Sequence, residues 1–343
     1  MVVNDFRLIA NSADITAIIR ERLVSLRCSD SAGFDSDSIE IVLADHDPDH
    51  PIELPPTGAE LELFLGTGST AQRMGLYVVD EVELAGWPGT LTIRAKAAPF
   101  EESKQGKSQL QTQKTRTWTA GTKLVDVVRK IAAEHSLTPV IASSLNKITL
   151  PMMAQTDESD ISFLTRVARR YDAVCKPADG KLILTRHGEG KTASGAEIPA
   201  VTIRAQDVTT FSCTTSRRED SGTVVAYWHE TKAGKRNEVK VGSGEPVKRL
   251  KMYFPSQQTA LDAATSELRR RERGGTRLSI RMPGNPAVFA EAPIALEGFR
   301  DGVDERWICS RVEHTLDAGG FVTSIEAEQP NAEDAPNVET AVT

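Results

Sequence analysis

The feature that most constrains this chain is a period-two alternation of apolar and polar residues. It recurs near both ends and gives way to a helical period in the middle. Ser38-Ile39-Glu40-Ile41-Val42-Leu43 and Glu60-Leu61-Glu62-Leu63-Phe64-Leu65 show it early, beside Leu23–Arg27, Leu76–Leu84 and Thr90–Ala95. Arg277–Arg281, Pro293–Leu296, Arg306–Leu316 and Phe321–Ala327 show it again late. Successive strand side chains point to opposite faces, so each run has one buried and one wet face. The breaks are turn-like: Asp47-Pro48, Pro55-Pro56, Gly66-Thr67-Gly68 and Gly86-Trp87-Pro88-Gly89. Short strands at this spacing predict a barrel or a sandwich.

Between residues 118 and 187 the period changes. Leu124, Val127, Val128, Ile131 and Ala132 recur at helical spacing, with Thr119 as the expected cap and a stop near His135. Ile161, Leu164, Val167, Ala168 and Tyr171 form a second stripe behind Asp157-Glu158-Ser159-Asp160. Acidic and hydroxyl groups there suit a helix N-terminus. Lys181–Leu184 closes a small α+β unit. Residues 101–117, polar and carrying Lys104, Lys107, Lys114 and Arg116, read as a linker or long loop; Gly188–Gly195 reads as another linker. Strands resume at Val201–Ile203, Val224–Trp228 and Leu250–Tyr253, interrupted by a helix capped by Ser256 and ended by Gly274-Gly275. The expected fold is mainly β with an α+β insertion, two β-barrel domains flanking or enclosing a small α+β domain. The expected boundaries are 1–100 for the first barrel and 101–198 for the α+β domain with its linkers. The second barrel takes 199–329, with a helical excursion near 256–273, and 330–343 is a disordered tail.

Composition narrows function. Lys and Arg total 41 and Asp and Glu 48, a net charge of −7. Specific nucleic-acid binding is not expected, because phosphate neutralisation supplies most of that affinity. No run approaches ~18 apolar residues, so no membrane insertion is expected. The first residues lack the basic-then-apolar pattern of a secretory signal. Cys28, Cys175, Cys213 and Cys309 lie outside any CxxC spacing and read as reduced thiols of a protein made in the cytoplasm.

Catalytic motifs are sparse. Asp45-His46-Asp47-Pro48-Asp49-His50 is the most metal-like cluster, and His46 and His50 are weak candidate ligands. Pro48 and Pro51 exclude the helix that would put both rings on one face, and no zincin-type glutamate follows. There is no Gly-x-Ser-x-Gly elbow, and Gly66–Thr70 lacks the lysine of a phosphate loop. No catalytic residue and no cofactor is expected. Arg269-Arg270-Arg271-Glu272-Arg273 reads as the basic end of a helix, without the aromatic interleaving of a nucleic-acid site. Cys28 to Gln72 holds ten Asp and Glu and no Lys or Arg. Such a segment reads as a face for a basic neighbour, a channel lining or a solvated wall.

The chain also echoes itself. Tyr77-Val78-Val79-Asp80-Glu81-Val82-Glu83 and Trp307-Ile308-Cys309-Ser310-Arg311-Val312-Glu313 share an order of aromatic, two aliphatic-type, two polar, then Val-Glu. Each leads through a glycine turn to a closing strand. Two readings stay open: one β-domain duplicated on either side of the α+β unit, or two hairpins that share turn chemistry.

Trp118-Thr119-Ala120-Gly121-Thr122-Lys123-Leu124, followed by Ile131-Ala132-Ala133-Glu134-His135, resembles the middle domain of the phage late control gene D protein family. Gln155 with Glu158-Ser159-Asp160-Ile161-Ser162-Phe163-Leu164-Thr165-Arg166 matches that family's most recognisable segment. Pro283-Gly284-Asn285-Pro286, Leu296-Glu297-Gly298-Phe299 and Trp307 through His314 add further matches, so the resemblance spans roughly residues 1–329. It implies a non-enzymatic baseplate hub of a contractile tail, of a phage or a phage-tail-like bacteriocin. In that family two tube-like β-barrels per chain, in a homotrimer, adapt a hexameric tail tube to a trimeric central spike. Tail tube and spike proteins are the implied partners, with tape-measure and baseplate wedge proteins beyond them. The implied location is the tail baseplate of the virion or bacteriocin, after synthesis in the bacterial cytoplasm. The hub part of type VI secretion spike proteins is similar. The alternatives are a type VI-like spike hub, or a cell-wall hydrolase using the Asp45–His50 cluster.

Overall fold

A computed structural model describes residues 5–33, 36–47, 49–66, 71–97, 110–178, 180–192, 194–216, 222–230, 235–331 and 338–342. The Thr67–Thr70 part of the glycine loop, Pro48 and residues 101–109 lie outside the described residues.

The first part of the chain holds β1 (Asp5–Ala10), β2 (Ala13–Asp14), α1 (Thr16–Arg22), β3 (Leu23–Ser31), β4 (Ser38–Ala44), β5 (Glu60–Gly66), β6 (Gln72–Ala85) and β7 (Thr90–Ala97). The middle holds β8 (Gln113–Trp118), α2 (Leu124–Glu134), β9 (Thr138–Ile141), β10 (Met153–Ser159), α3 (Asp160–Arg170), β11 (Ala173–Ala178) and β12 (Lys181–Arg186). Then come β13 (Val201–Arg204), β14 (Thr210–Thr215), β15 (Thr223–Glu230), β16 (Lys235–Val241), β17 (Val247–Phe254) and α4 (Gln257–Gly274). The last strands are β18 (Thr276–Pro283), β19 (Pro293–Glu297), β20 (Arg306–Asp317), β21 (Gly320–Glu328) and β22 (Val338–Val342).

The fold is mainly β, with an α+β unit set between two β modules. In the first module the strand order is β3-β4-β7-β6-β5-β1, and in the second β14-β18-β21-β20-β19-β13. The alternation predicts the burial. Ile39, Ile41 and Leu43 of β4 point inward, as do Leu278, Ile280 and Met282 of β18. Each module has its own aliphatic core, the second built around the fully buried Trp307. The echo is structural. The β6–β7 ladder steps from Val79↔Ala95 to Glu81↔Arg94, leaving Asp80 as a bulge. The β20–β21 ladder steps from Cys309↔Ala327 to Arg311↔Glu326, leaving Ser310. One extra residue at the same place in both hairpins is the mark of one design used twice. The copies differ at one edge: β1 runs antiparallel to β5, whereas β13 runs parallel to β19.

The two modules form one continuous sheet. β3 pairs antiparallel with β20 over seven positions, from Ser31↔Arg311 to Ser25↔Asp317. Leu316 and Phe321 of the second module sit in the core of the first.

Four expectations need correcting. The stretch read as linker up to residue 117 contains β8, paired with β10. Its inward positions, Lys114 and Arg116, are charged because they face a buried carboxylate, so the alternation is not apolar. Thr119 does not cap α2; the helix starts at Leu124 after an extended Lys123 with no side-chain cap. The excursion in the second half is larger than one helix. β15 and β17, expected in the second barrel, instead join β16 and β22 in a separate four-stranded sheet. α4 lies on that sheet because Ala260, Ala264 and Leu268 let it close over Val224, Ala226, Val239 and Val241. Finally, Val338–Val342, expected within a disordered tail, pairs antiparallel with β16. A five-residue Val-Glu-Thr-Ala-Val segment supplies the backbone donors and acceptors that an edge strand leaves open.

Candidate functional site

For a chain without catalytic motifs, the functional geometry lies in how its units are held together. At the β3–β20 junction, Cys28 opposes His314 and Leu26 opposes Leu316. His314 and Leu26 are fully buried. His314 Nε2 lies 3.1 Å from the Val288 carbonyl and Nδ1 2.9 Å from the Thr323 hydroxyl. Nε2–H donates to the carbonyl and Nδ1 accepts from the hydroxyl. Burial lowers the His314 pKa, so the ring is neutral. Gly284 lies against Phe321 so tightly that a Cβ would stand 2.0 Å from the ring, and the Gly284 N–H donates to the Phe321 carbonyl.

Lys176 of β11 ties the α+β unit to the first module. Its ammonium donates to both Asp37 oxygens at 3.1 Å and to Asp30 and the Ser31 carbonyl at 3.4 and 3.3 Å. Asp30 also accepts from the Ala290 N–H at 2.8 Å, so one carboxylate touches both modules and the α+β unit. Burial, reinforced by Asp30, raises the Asp37 pKa to about 7. Arg273 ties the α4 layer in turn. It is 3% exposed, forms a bidentate pair with Asp172 at 2.6 and 2.7 Å, and donates to Asn331. Arg270 and Arg271 pair with Glu267. Within the basic run, then, these three arginines are engaged inside the chain.

The α+β unit is organised around Asp160, which is fully buried at the start of α3. It accepts from Lys114 at 2.6 Å, His135 Nε2 at 2.7 Å, Gln155 at 2.9 Å and Arg116. Lys114 and Arg116 also reach Glu134, at 3.1 and 2.8 Å. Burial pushes the Asp160 carboxyl upward, but the bonds from Gln155, Lys114 and His135 and the Arg116 charge outweigh it and hold the pKa low. Glu134, His135 and Asp160 bring ligand-type atoms within 4.8 Å of one another. The ammonium and guanidinium already use those carboxylate oxygens, so the geometry is that of an ion-pair centre. Two cations and two carboxylates balance, which is what makes a buried carboxylate tolerable.

The structure does not bring the sequence-proposed metal ligands together. His46 is exposed, and the His50 side chain is 78% exposed. Asp47 accepts from the Asp49 N–H, and its other oxygen lies 3.1 Å from His50 Nδ1. Asp45 accepts from the Ile52 N–H. These are local turn bonds, and among the described residues no metal-type group forms there.

The positions that carried the resemblance fall into two places. Trp118 stacks on Phe163 at 5.8 Å between ring centroids, with Leu124 and Leu164 in the same core. Ser159 caps α3 through the Ser162 N–H at 3.3 Å, and Gly121 turns at φ +89°. Arg166 spans Phe163, Glu158 and the Ala154 carbonyl. Pro283, Gly284, Gly298, Trp307 and His314 belong to the second module and its junction. Pro283 ends β18, Gly298 turns at φ +80°, and the Trp307 indole N–H donates to the Val303 carbonyl at 3.1 Å. Lys114, Arg116, Glu134 and His135 escaped the sequence reading as a site. A charged alternation at 114 and 116 facing an Asp at a helix start was the available signal.

Comparison with known proteins agrees with this architecture. A family model described as phage tail baseplate hub (GPD) matches residues 57–320. The chain is 32% identical to a probable baseplate hub protein of Escherichia phage 186, over 94% of this chain and 92% of that protein. Among solved structures, the 43 kDa tail protein of prophage MuSo2 from Shewanella oneidensis matches with a TM-score of 0.69 at 13% identity, covering 95% and 98% of the two chains. The E. coli c3393 protein, a type VI secretion component, matches with a TM-score of 0.57 at 8% identity, covering 92% of this chain and 75% of that one.

Proposed function

Since the chain belongs to the phage tail baseplate hub family, we propose that it acts as a trimeric ring joining a six-fold tail tube to a three-fold central spike. The observation that carries this reading is the repeated module. Two units that share a six-strand order and one bulge position lie side by side in a continuous sheet, with the two-residue β2 added at the edge of the first. Three such chains present six near-equivalent units to the tube, while the α4 layer and the α+β unit, one each per chain, keep the ring three-fold. The mechanism is geometric: symmetry is converted by duplication within one polypeptide. The chain performs no catalysis in this role. A cell-wall hydrolase using Asp45–His50 is disfavoured by the local turn bonds those residues make. The ring works in the baseplate of a virion or a bacteriocin particle, and tape-measure and wedge proteins are its further contacts. The acidic segment Cys28–Gln72 is read as a channel lining; within it Glu40 lies on a wet face, where Arg94 joins it to Glu81 and Glu83 of the neighbouring strand.

Mass measurement in solution, alone and with the spike protein, tests the reading. The expected species is three times 37.3 kDa. A chain that stays monomeric in both conditions and does not bind the spike overturns it.

A further inference from the structure

The β3–β20 junction inside the chain has an unfilled counterpart. Following the ladders across each module, Cys28 of β3 leads through Ile39 and Ala95 to Val79. Cys213 of β14 leads through Leu278 and Ala327 to Cys309. β3 and β14 are therefore the same strand of the repeat, as are β6 and β20, with Cys28 equivalent to Cys213 and Leu26 to Phe211. Within the chain, β3 of the first module covers Arg311–Asp317, the half of β20 that β19 leaves bare. The corresponding half of β6, Glu81–Ala85, extends past β5, which ends its pairing at Val78. Among the described strands, β6 there pairs only with β7, and β14 pairs only with β18.

Burial separates the filled junction from the open edges. Leu26 and His314 are 0% exposed, whereas their equivalents Phe211 and Leu84 are 47% and 58% exposed. Val312 and Cys28 are buried, whereas Val82 and Cys213 are only partly so. Trp87, at the tip beyond Ala85, is 92% exposed. β14 itself reads Thr-Phe-Ser-Cys-Thr-Thr, with high strand propensity and neither charge nor proline. An edge strand that stays free normally carries such a guard.

We propose that β14 of one copy adds antiparallel to Glu81–Ala85 of β6 in the next copy, repeating between chains the β3–β20 junction found within each. The occupant of each edge is a second copy of this chain, because the complementary edge already fits its equivalent inside the molecule. Carrying over the internal register, Leu84 opposes Cys213 and Val82 opposes Thr215, and Phe211 arrives beside Trp87. The contact is head-to-tail, so repetition closes a ring or runs on as a filament. The proposal rests on the ring reading above and supplies its seam.

Leu84→Cys tests the register against the natural Cys213. Mixed isotope-labelled and unlabelled full-length chains, mildly oxidised, should yield an 84–213 disulfide joining one labelled and one unlabelled chain, absent from L84C/C213S. Phe211→Asp should weaken association at least tenfold; because Phe211 also packs edge-to-face on Phe299 within the chain, circular dichroism checks that the monomer stays folded, and Leu84→Asp on the facing strand, a more exposed position, should weaken association by a similar factor. A trimer that forms without the cross-link and tolerates Phe211→Asp overturns the seam and leaves the ring standing. A chain that never associates removes the ring, and the seam with it.

Discussion

Asp80 and Ser310 occupy the same bulge, one in each half of the chain, each opposing no residue on its partner strand. The Ser310 carbonyl accepts from the Ala32 N–H at 2.8 Å, so in the second module the bulge also anchors the end of β3. Deleting Ser310 closes the ladder into regular alternation, with Arg311 opposite Glu326 and Val312 still inward opposite Ile325, and removes the carbonyl that accepts from the Ala32 N–H. The expected outcome is a soluble chain that has lost about 1 kcal/mol of stability at the β3 end of the junction, checked by gel filtration and urea denaturation. Ser310→Ala keeps the register and should change stability by no more than about 0.5 kcal/mol.

Gly284 has no room for a side chain. A Cβ there meets the Phe321 ring, which belongs to the first module's core. Gly284→Ala should cost about 2 kcal/mol through forced repacking. Phe321→Leu in the same chain should recover part of that loss. The pair is read by urea denaturation as a double-mutant cycle, and strict additivity would contradict the contact.

Asp160 predicts an acid limb. Its folded pKa is depressed, so its stabilisation is present above the unfolded carboxylate value and is lost as pH falls through the folded one. Melting temperature should drop as pH falls below the ordinary carboxylate range, about pH 4, in the native chain. Asp160→Asn should flatten that limb. Asp160→Ala should cost about 3 kcal/mol at neutral pH, because Lys114 and Arg116 lose their buried partner.

Asp37 predicts the opposite slope. Its folded pKa of about 7 lies above the unfolded value, so the folded chain holds a proton that the unfolded chain has released. Stability from this group declines as pH rises from about 4 to 7. In thermal melts across that window, Asp37→Asn should remove the decline. A native chain whose melting temperature climbs steadily from pH 5 to 8, with the variant parallel to it, would contradict the assignment.

What the sequence revealed and what it hid follow from one physical difference. Strands whose inward residues are aliphatic, such as β4 and β18, were readable because burial and alternation coincide. β8 was not, since its inward residues are cations answering Asp160 from another element. β15 and β17 were readable as strands, but alternation carries no information about which sheet a strand joins; that depended on the small residues of α4. The repeat showed in the Tyr77 and Trp307 hairpins because core positions and the bulge preserve their order. The ion-pair centre stayed hidden because Lys114, Arg116, Glu134, His135, Gln155 and Asp160 come from β8, β10 and two helices. The motif-like His46 and His50 are neighbours in sequence only.

The joining of β3 to β20 also bears on how the protein is made. Residues 25–31 emerge from the ribosome long before residues 311–317, their pairing partners. Until then the nascent chain holds β3 with one edge unpaired and a first core still lacking Leu316 and Phe321. Contacts of such sequence separation form slowly and leave edges open to other chains. Synthesis is therefore the stage at which this protein is most exposed to mispairing, and slowing translation or withdrawing chaperones should reduce its soluble yield more than a mutation on the finished surface does.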